Sequence, residues 1–292
     1  MKQRLPPWIK IRLKTDGQYA LVQSTLQKQN LHTVCESAHC PNRQECFRRG
    51  TATVMILGNI CTRNCRFCAV QSGAPAPVDP DEPRRAAELA KKLNLHHAVI
   101  TSVTRDDLPD GGASIFAQTV SEIRSAMQNR TTIEVLTPDF NGSEKALSVV
   151  LDSHPDVFNH NIETVLRLQK EMRPQASYLR SLAVLKYAAT ARKTKIIKSG
   201  LMAGMGENDD ELYEVMRDLL TAGCRHLTIG QYLAPAKRHW PVHRFVPPEM
   251  FEEYRRKALA MGFKEVAAGP LVRSSYMAES FFEHAVSASR QN

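Results

Sequence analysis

Six short apolar runs recur along the chain, and longer amphipathic segments separate them. The runs are rich in β-branched residues and occupy residues 53–57, 97–103, 132–137, 156–162, 196–202 and 226–233. Runs of this length and composition are typical of buried strands. The intervening segments place apolar residues three and four positions apart, which predicts helices with one buried face. Six strands alternating with helices predict parallel βαβ units and an α/β fold.

The ends of the predicted strands carry polar residues. TRDDLPDGG follows the second run, Glu163 and Thr164 follow the fourth, and MAGMGEND lies at the end of the fifth. In a βα barrel, residues at the carboxyl ends of the strands line the catalytic face. A chain of 292 residues with 42% hydrophobic content has the size and the core material for one such unit.

The cysteines are concentrated in the first quarter of the chain. Six of the seven form two triplets, Cys35, Cys40 and Cys46 with the spacing C-x4-C-x5-C, and Cys61, Cys65 and Cys68 with the spacing C-x3-C-x2-C. An odd total and tight clustering argue against the disulfide framework of a secreted protein. The clustered thiols therefore predict ligands of a metal ion or an iron–sulfur cluster.

Three thiolates on a short loop suit a 4Fe–4S cube with one iron left open. Each iron of the cube takes one external ligand, usually a Cys thiolate, whereas structural zinc takes four nitrogen or sulfur ligands. No histidine lies close to the second triplet, which favours a cluster there. His32 and His39 lie near the first triplet and leave a Cys3His zinc site open for it. Cys224 stands alone and is interpreted as a small buried residue.

The formal net charge of +9 does not by itself indicate one class of function. The basic residues are scattered and form no run interleaved with aromatics, so no nucleic-acid partner is predicted. The charge is either an ordinary solvated surface or an aid to encounter with an acidic protein. No stretch approaches the ~18 apolar residues that cross a membrane, and the N-terminal segment lacks the apolar core of a signal peptide. We therefore expect a cytoplasmic location and no membrane attachment.

The second triplet resembles the radical-SAM signature. In CTRNCRFC, Phe67 precedes the last cysteine, and the motif follows the predicted strand TVMIL. The resemblance implies a partial (β/α)6 barrel whose 4Fe–4S cluster binds the amine and carboxylate of S-adenosylmethionine (SAM) at its open iron. It also implies reductive cleavage of SAM to methionine and a 5′-deoxyadenosyl radical, while the protein orients the reactants and excludes water.

From about Trp8 to Tyr276 the chain resembles the lipoyl synthase family. The matching stretches are LHTVCESAHCPNRQEC, ATVMILGNICTRNCRFCAV, ITSVTRDDLPDGGA, EVLTPDF, VFNHNIETV, KSGLMAGMGE, LTIGQYLAP and GPLVRSSY. The resemblance implies insertion of two sulfur atoms into a protein-bound octanoyl chain, with sulfide donated by an auxiliary 4Fe–4S cluster on the first triplet. It also implies an N-terminal extension (1–50), a barrel (51–265) and a C-terminal extension (266–292), with both extensions covering the open face of the barrel.

The family's RSSY motif implies the remaining ligand of the auxiliary cluster. That ligand is a serine, either Ser274 or Ser275, and Ser275 is favoured. An easily released oxygen ligand would provide a trigger for dismantling the cluster. Arg273 is expected near this cluster or near the substrate carbonyl. The family usually continues RSSYHA, whereas this chain has Met277 in place of the histidine, which puts any role of that histidine in doubt.

The resemblance places the SAM contacts at the strand ends. The implied contacts are Ser102, Thr104, Arg105, Asn161, Glu163 and Arg173, and the glycines implied to permit close approach are Gly200, Gly204 and Gly206. Asn161 and Glu163 are expected to bond the ribose hydroxyls. Arg173 is expected to pair with the methionyl carboxylate, because a guanidinium forks onto a carboxylate.

The implied substrate is octanoyl-lysine on a lipoyl carrier domain, such as the glycine-cleavage H protein or an acyltransferase subunit of a 2-oxoacid dehydrogenase. Reduced ferredoxin or flavodoxin would supply electrons, and a cluster-assembly carrier would restore the auxiliary cluster. Two alternatives stay open. One is another radical-SAM enzyme that inserts sulfur, such as a biotin-synthase-like enzyme or a methylthiotransferase. The other is a zinc- or cluster-stabilised binding module without catalytic activity.

Overall fold

A computed structural model describes residues 5–10 and 16–290 of the chain. The strands are β1 (His32–Thr33), β2 (Thr53–Ile56), β3 (Ile60–Cys61), β4 (Gln71–Ser72), β5 (His97–Ser102), β6 (Thr132–Leu136), β7 (Val157–Asn159), β8 (Ile196–Ala203), β9 (His226–Gln231) and β10 (Glu265–Gly269). The six predicted strands are confirmed as β2 and β5 to β9.

The helices account for most of the remaining chain. They are α1 (Gly17–Lys28), α2 (Val34–Ser37), α3 (Arg43–Arg48), α4 (Glu82–Lys92), α5 (Ala113–Ala126), α6 (Glu144–Asp152), α7 (Leu166–Met172), α8 (Tyr178–Ala191), α9 (Asp209–Thr221), α10 (Pro248–Met261) and α11 (Ala278–Arg290). A short 3-10 turn (Phe140–Gly142) lies between β6 and α6. Among these helices, none has both the length and the apolar character needed to cross a membrane.

An open, mostly parallel sheet organises the molecule. Its strand order is β1-β2-β5-β6-β7-β8-β9-β10. Neighbouring strands from β2 to β10 are parallel, while β1 joins β2 in antiparallel register with Thr33 opposite Val54. Because β1 and β10 are the two ends of this order, the strands that the structure describes do not close into a ring. The predicted α/β fold with a partial barrel is confirmed, and β10 is a parallel strand that the apolar pattern did not predict.

Helices cover the outer faces of the strands and leave their inner faces to the lumen. All four residues of β2 and the first five of β5 are buried, as expected of parallel strands packed on both sides. The predicted helices are present as α4, α5, α6, α8 and α9. The start of α9 is fixed locally by a capping box, in which Asn208 and Glu211 each accept a hydrogen bond from the other's backbone N–H at 2.9 Å.

The N-terminal elements α1 to α3 lie at the end of the sheet formed by β1 and β2. α1 packs on α3, where the Tyr19 and Phe47 ring centroids lie 5.5 Å apart. The Thr33 side chain accepts the Glu36 N–H and so caps α2. The predicted domain boundary after residue 50 lies between α3 and β2, whereas the predicted boundary after residue 265 falls inside β10. The division into three domains stays a prediction.

The C-terminal helix α11 covers the amino ends of the barrel strands. The Phe281 ring centroid lies 4.6 Å from the Lys198 ammonium, which pairs at 3.0 Å with Glu134. Burial alone would raise the pKa of the Glu134 carboxyl, but Lys198 and His97 outweigh burial and hold it at about 2. The Phe282 ring centroid lies 5.6 Å from that of His97. Because α11 closes this end, the accessible face of the barrel is the carboxyl end of its strands.

Candidate active site

Both cysteine triplets open into one cavity at the carboxyl ends of the strands. The cavity has a volume of about 590 Å³, and all six clustered cysteines line it. Cys35 and Cys46 come from α2 and α3, whereas the second triplet lies on the chain from β3 to β4. Two ligand sets that are separate in the sequence therefore face the same space.

The second triplet lies on a loop that is shaped by backbone hydrogen bonds. The Cys61 sulfur accepts the N–H groups of Arg63 and Thr104, at 3.4 and 3.3 Å. The Cys68 N–H donates to the Cys65 carbonyl at 3.0 Å. Burial raises the pKa of the Cys68 thiol to about 12, so a bare thiolate is unfavourable there. An iron bound to these sulfurs would supply the positive charge that a thiolate needs, and the loop fits a cluster in this respect.

A buried arginine inside this loop anchors it to the neighbouring strand ends. Arg63 donates two hydrogen bonds to Asp106, at 2.7 and 2.8 Å, and one to Asp139 at 2.7 Å. Burial would raise the pKa of Asp139, yet the Arg63 guanidinium holds it at about 2. Sequence reasoning did not single out Arg63. Its position between Cys61 and Cys65 could have drawn attention to it. Its carboxylate partners could not be predicted, because they lie more than 40 positions further along the chain.

The first triplet lies beside the C-terminal segment, with Cys35 buried and with Cys40 and Cys46 half-buried. Burial raises the pKa of Cys35 to about 11 and that of Cys46 to about 12. The Cys40 N–H donates to the Cys35 carbonyl at 3.0 Å, which brings these two residues onto one turn. Burial lowers the pKa of the Arg273 guanidinium, and the Cys40 thiol beside it acts in the opposite direction. Arg273 thus lies close to the first triplet, as the resemblance implied for one of its two expected positions.

The C-terminal segment after β10 crosses the barrel over two glycines. A Cβ atom on Gly230 would lie 2.1 Å from the Val272 carbonyl oxygen, and one on Gly200 would lie 2.6 Å from the Ser274 hydroxyl. Any side chain at either position would displace this segment. Gly200 was predicted to permit a close approach, and the group that approaches it is part of the chain itself.

The same segment is tied to the N-terminal elements that carry the first triplet. Asn42, which is buried, donates at 2.6 Å to the Leu271 carbonyl. The Tyr276 hydroxyl donates at 3.2 Å to Glu45, and Arg49 donates at 3.0 Å to the Met277 sulfur. The residue that replaces the family's usual histidine therefore accepts a hydrogen bond from Arg49, the residue that directly follows the helix of Cys46.

The two candidate serines differ in their surroundings. The Ser274 hydroxyl donates to the Asn161 side-chain oxygen at 2.7 Å. Ser275 also lines the cavity, and its hydroxyl has no hydrogen-bond partner within the described ranges of the chain. Asn161 in turn donates at 3.1 Å to Glu163. Ser275 is thus the serine whose oxygen is available to an added group.

Several buried polar atoms in the cavity lack partners among the described residues. They are the hydroxyls of Ser102 and Thr137 and the Arg173 Nε. Arg173 lies beside Cys65 and Glu163, and its positive charge acts to lower the pKa of both groups. Burial outweighs this effect, so the pKa of each group is raised. Glu163 has a φ of 70°, a left-handed conformation that is costly for this residue type and is often found at functional sites. Unsatisfied donors and acceptors of this kind fit a polar ligand such as SAM.

The structure does not bring every predicted residue to the cavity. Thr104 lines it, but Arg105 does not. The buried Arg105 guanidinium bonds instead to Asp107, at 2.8 Å, and to the Leu57 carbonyl. Gly204 and Gly206 also lie outside the lining, against Arg244 and His243 of the loop after β9. These three residues shape the loops around the cavity.

Comparison with known families identifies two parts of the chain. The radical SAM superfamily matches residues 55–219, and the N-terminal domain of lipoyl synthase matches residues 1–40. The chain is 52% identical to a lipoyl synthase of Caldanaerobacter subterraneus subsp. tengcongensis, over 96% of this chain and 97% of that one. It is 50% identical to a lipoyl synthase of Caldicellulosiruptor saccharolyticus, over 96% and 98% of the two chains.

The chain belongs to the lipoyl synthase family. Family membership confirms the predicted enzyme class, a radical SAM sulfurtransferase. It also confirms the predicted cofactors, SAM and two 4Fe–4S clusters. The zinc alternative for the first triplet and the alternative of a non-catalytic binding module are therefore set aside, as is assignment to another family that inserts sulfur.

Solved structures of low sequence identity share the fold. HydG, a maturase of the [FeFe]-hydrogenase, superposes with a TM-score of 0.59 at 14% identity, over 80% of this chain and 54% of that one. Methylornithine synthase superposes with a TM-score of 0.55 at 12% identity, over 95% and 77% of the two chains. At such identities the likeness concerns the fold alone, and it agrees with the open parallel barrel of this lipoyl synthase family member.

The donor set differs from that of a single-ion site. In the described ranges, no three His, Cys, Asp or Glu side chains are arranged to hold one metal ion. A 4Fe–4S cube presents its irons separately, each to its own thiolate. Cys224, outside both triplets, is fully buried as predicted.

Proposed function

We propose that the protein inserts two sulfur atoms into the octanoyl chain of an octanoyl-lysine on a lipoyl carrier domain. The main support is that both cysteine triplets and the free Ser275 hydroxyl line the same cavity. A sulfide donor and a radical source must both reach the same alkyl chain, and one shared cavity meets that requirement.

The residues of the second triplet and the strand ends would bind and orient SAM. When bound, the cluster and SAM supply a 5′-deoxyadenosyl radical, which removes hydrogen from unactivated carbon that no base can deprotonate. Arg173 would pair with the methionyl carboxylate. Asn161 and Glu163 would bond the ribose hydroxyls, and Ser102 and Thr104 would complete the polar wall. Arg105 has no part in this proposal, because its donors are already bonded to Asp107 and Leu57.

Cys35, Cys40, Cys46 and Ser275 would hold the auxiliary cluster. Arg273, beside Cys40, would stabilise the negative charge of the cluster and its thiolates. A serine oxygen in place of a fourth thiolate would make one corner the easiest to release. The C-terminal segment is held to α3 by Tyr276 and to the loop before it by Asn42, so the serine is positioned by the elements that carry the cysteines.

The apolar part of the cavity lining suits an alkyl chain. Val34, Met55, Met202, Leu233 and Val272 are among its lining residues. Burying an eight-carbon chain against such side chains is favourable by about 0.8 kcal/mol per methylene group. Polar groups near the cysteines and apolar groups around them would place the chain between the two clusters.

The partners and the location follow from the same proposal. The carriers would be the glycine-cleavage H protein and acyltransferase subunits of 2-oxoacid dehydrogenases, with reduced ferredoxin or flavodoxin as electron donor. A cluster-assembly carrier would rebuild the auxiliary cluster after turnover. The cytoplasm is the proposed location, since all seven cysteines are free and a reducing compartment keeps them so.

The test is turnover of an octanoylated carrier by the anaerobically reconstituted protein with SAM and a reductant. Mass spectrometry would follow the carrier and 5′-deoxyadenosine together. Three substitutions make a matched set. Cys61→Ala should abolish 5′-deoxyadenosine, Cys40→Ala should retain it but form no lipoyl group, and Cys224→Ala should retain both.

The expected product is a carrier that has gained two sulfurs and lost two hydrogens, with two equivalents of 5′-deoxyadenosine. Formation of 5′-deoxyadenosine with an unmodified carrier, by protein that contains both clusters, would overturn the proposed substrate. Retention of lipoyl formation by Cys40→Ala would overturn the role of the first triplet.

A further inference from the structure

Residues 232–247, between β9 and α10, form a loop at the mouth of the cavity that we name the collar. Its first four residues, from Tyr232 to Pro235, line the cavity. The Trp240 N–H donates at 2.9 Å to the carbonyl of Arg66, which lies between Cys65 and Cys68. The collar therefore borders both the cavity and the loop of the second triplet.

The collar is basic, and part of its charge is unpaired. It contains Lys237, Arg238 and Arg244 and no aspartate or glutamate. Arg244 pairs with Asp209 at 2.8 Å. Lys237 and Arg238 are exposed, as is the adjacent Arg66, and none of the three has an ion pair among the described residues. Unpaired cations are thus concentrated at the entrance to the cavity.

Pairing of surface arginines is common elsewhere on this chain. Arg84 bonds to Glu88 on α4, and Arg255 and Arg256 pair with Glu252 and Glu253 on α10. Exposed cations without an ion pair in the described part of the chain also occur elsewhere, Lys91 and Arg217 among them, so the distinguishing feature of the collar is that its unpaired cations border the cavity in a loop without carboxylates.

The collar is also held in one conformation. The Trp240 indole N–H donates to the Met205 carbonyl at 2.8 Å, and the Trp240 carbonyl accepts from the Tyr232 hydroxyl at 2.7 Å. The His243 N–H donates to Gly204 at 2.9 Å, and the Val246 N–H donates to the Gln231 side chain at 2.7 Å. Because these contacts hold the loop before any partner arrives, little ordering would be needed on binding.

We propose that the collar, with Arg66, is the docking surface for an acidic face of the carrier domain. This inference rests on the proposed function. A cavity of about 590 Å³ has the size of a small-molecule site, so only the acyl-lysine arm of a folded carrier enters it. The body of the carrier must then rest on the rim. Carboxylates on that body would complement Arg66, Lys237 and Arg238 and would speed the encounter.

The test compares a folded octanoylated carrier domain with a short, uncharged octanoyl-lysine peptide as substrates of the holoenzyme. The variant is Lys237→Glu/Arg238→Glu. Its control is Arg192→Glu/Lys264→Glu, which reverses two exposed charges before β8 and β10, at the other end of the strands. We expect the collar variant to raise KM and Kd for the carrier about tenfold, with little change in kcat. Turnover of the peptide and the iron content should match those of the wild-type protein.

Salt provides a second readout. Carrier binding by the wild-type protein should weaken as ionic strength rises, and the collar variant should lose most of that dependence. An unchanged Kd for the carrier, or an equal loss in the control variant, would overturn the proposal. RNA binding is measured for the wild-type protein and the collar variant. If the collar variant lost affinity for RNA but kept its affinity for the carrier, the proposal would also be overturned, and the collar would be assigned to nucleic acid. If the wild-type protein forms no lipoyl group on any carrier, the proposed function fails instead, independently of the collar.

Discussion

The Ser274 hydroxyl donates a 2.7 Å hydrogen bond to the side-chain oxygen of Asn161, which follows β7. This bond joins the C-terminal segment to a residue proposed to contact SAM, and it occupies one of the two serines of the RSSY motif. Because Ser274 is engaged and Ser275 is free, the two adjacent hydroxyls have different tasks. One positions the segment and the other is available to the auxiliary cluster.

Ser275→Ala should separate SAM cleavage from sulfur insertion. The substitution removes the proposed oxygen ligand but leaves the second triplet and its surroundings unchanged. We expect lipoyl formation to fall by about tenfold or more, with 5′-deoxyadenosine still produced. Mass spectrometry of the carrier and chromatography of the nucleoside check this, together with the iron content of each sample.

Two further variants sharpen the assignment. Ser275→Cys should assemble the auxiliary cluster yet impair turnover, because a thiolate is released less readily than an alkoxide. Ser274→Ala should loosen the segment without removing a ligand, so the Mössbauer parameters of the auxiliary cluster should stay those of the wild-type protein. Normal lipoyl formation by both Ser275 variants would rule out this serine as a functional ligand.

Gly230→Ala should impair the same half of the reaction by a steric route. The added Cβ would lie 2.1 Å from the Val272 carbonyl oxygen, so the C-terminal segment must move. Overpacking of this kind costs about 1–3 kcal/mol, and we expect lower thermal stability and slow lipoyl formation with SAM cleavage retained. Gly17→Ala is the control, since nothing lies within 4 Å of its added Cβ. Equal activity of the two variants would show that the segment needs no close approach at Gly230.

Local patterns were sufficient to predict six strands of the barrel and to single out the six cysteines that line its cavity, whose role as cluster ligands stays a prediction. Strand β2 is an uninterrupted apolar run, and the cysteine spacing of each triplet lies within a dozen residues. α11 was missed, although Phe281, Phe282 and Ala285 mark one apolar face of a helix. The end of the barrel that this face covers could not be predicted, because it depends on the direction of the chain after β10, and β10 itself was not predicted.

Contacts between distant parts of the chain could not be predicted in the same way. Ser274 and Asn161 are 113 positions apart, and Arg63 and Asp139 are 76 apart. Neither pair can be recognised from a pattern in the sequence, because its two members meet only when the strands between them have formed the sheet. The prediction for Arg105 failed to foresee its local partner Asp107, which lies only two positions away and satisfies the guanidinium outside the cavity.

Arg63→Met should destabilise the protein strongly. The substitution keeps the apolar stem but leaves the buried Asp139 carboxylate with only one guanidinium, the longer 3.3 Å contact from the half-exposed Arg180. Removing one partner of a buried pair typically costs about 3–5 kcal/mol, and urea unfolding under anaerobic conditions would measure the loss. Arg84→Met, which removes an exposed pair with Glu88, should change the free energy of unfolding little. Similar midpoints for the two variants would show that Arg63 is not an anchor of the loop.

His226 should make the stability of the protein depend on pH between 7 and 5. Burial lowers its pKa to about 4, while its Nδ1–H donates at 3.2 Å to the Ile197 carbonyl and its Nε2 has no partner among the described residues. An unfolded histidine titrates near pH 6.5, so below that pH the unfolded chain binds a proton that the folded chain excludes. Acidification therefore favours the unfolded state.

The expected loss from this residue is about 2 kcal/mol between pH 7 and pH 5. His226→Asn retains a side-chain donor and does not titrate, so its unfolding free energy should fall by that much less over the same interval. The comparison is made at each pH on protein with equal iron content, because loss of a cluster would lower both curves together. His239→Asn, at a half-buried position of the collar that packs against no aromatic ring of α11, should follow the wild-type curve. If His226→Asn also follows it, the imidazole is protonated in the folded state at pH 5, and the apolar contact with Phe281 does not exclude charge from this end of the barrel.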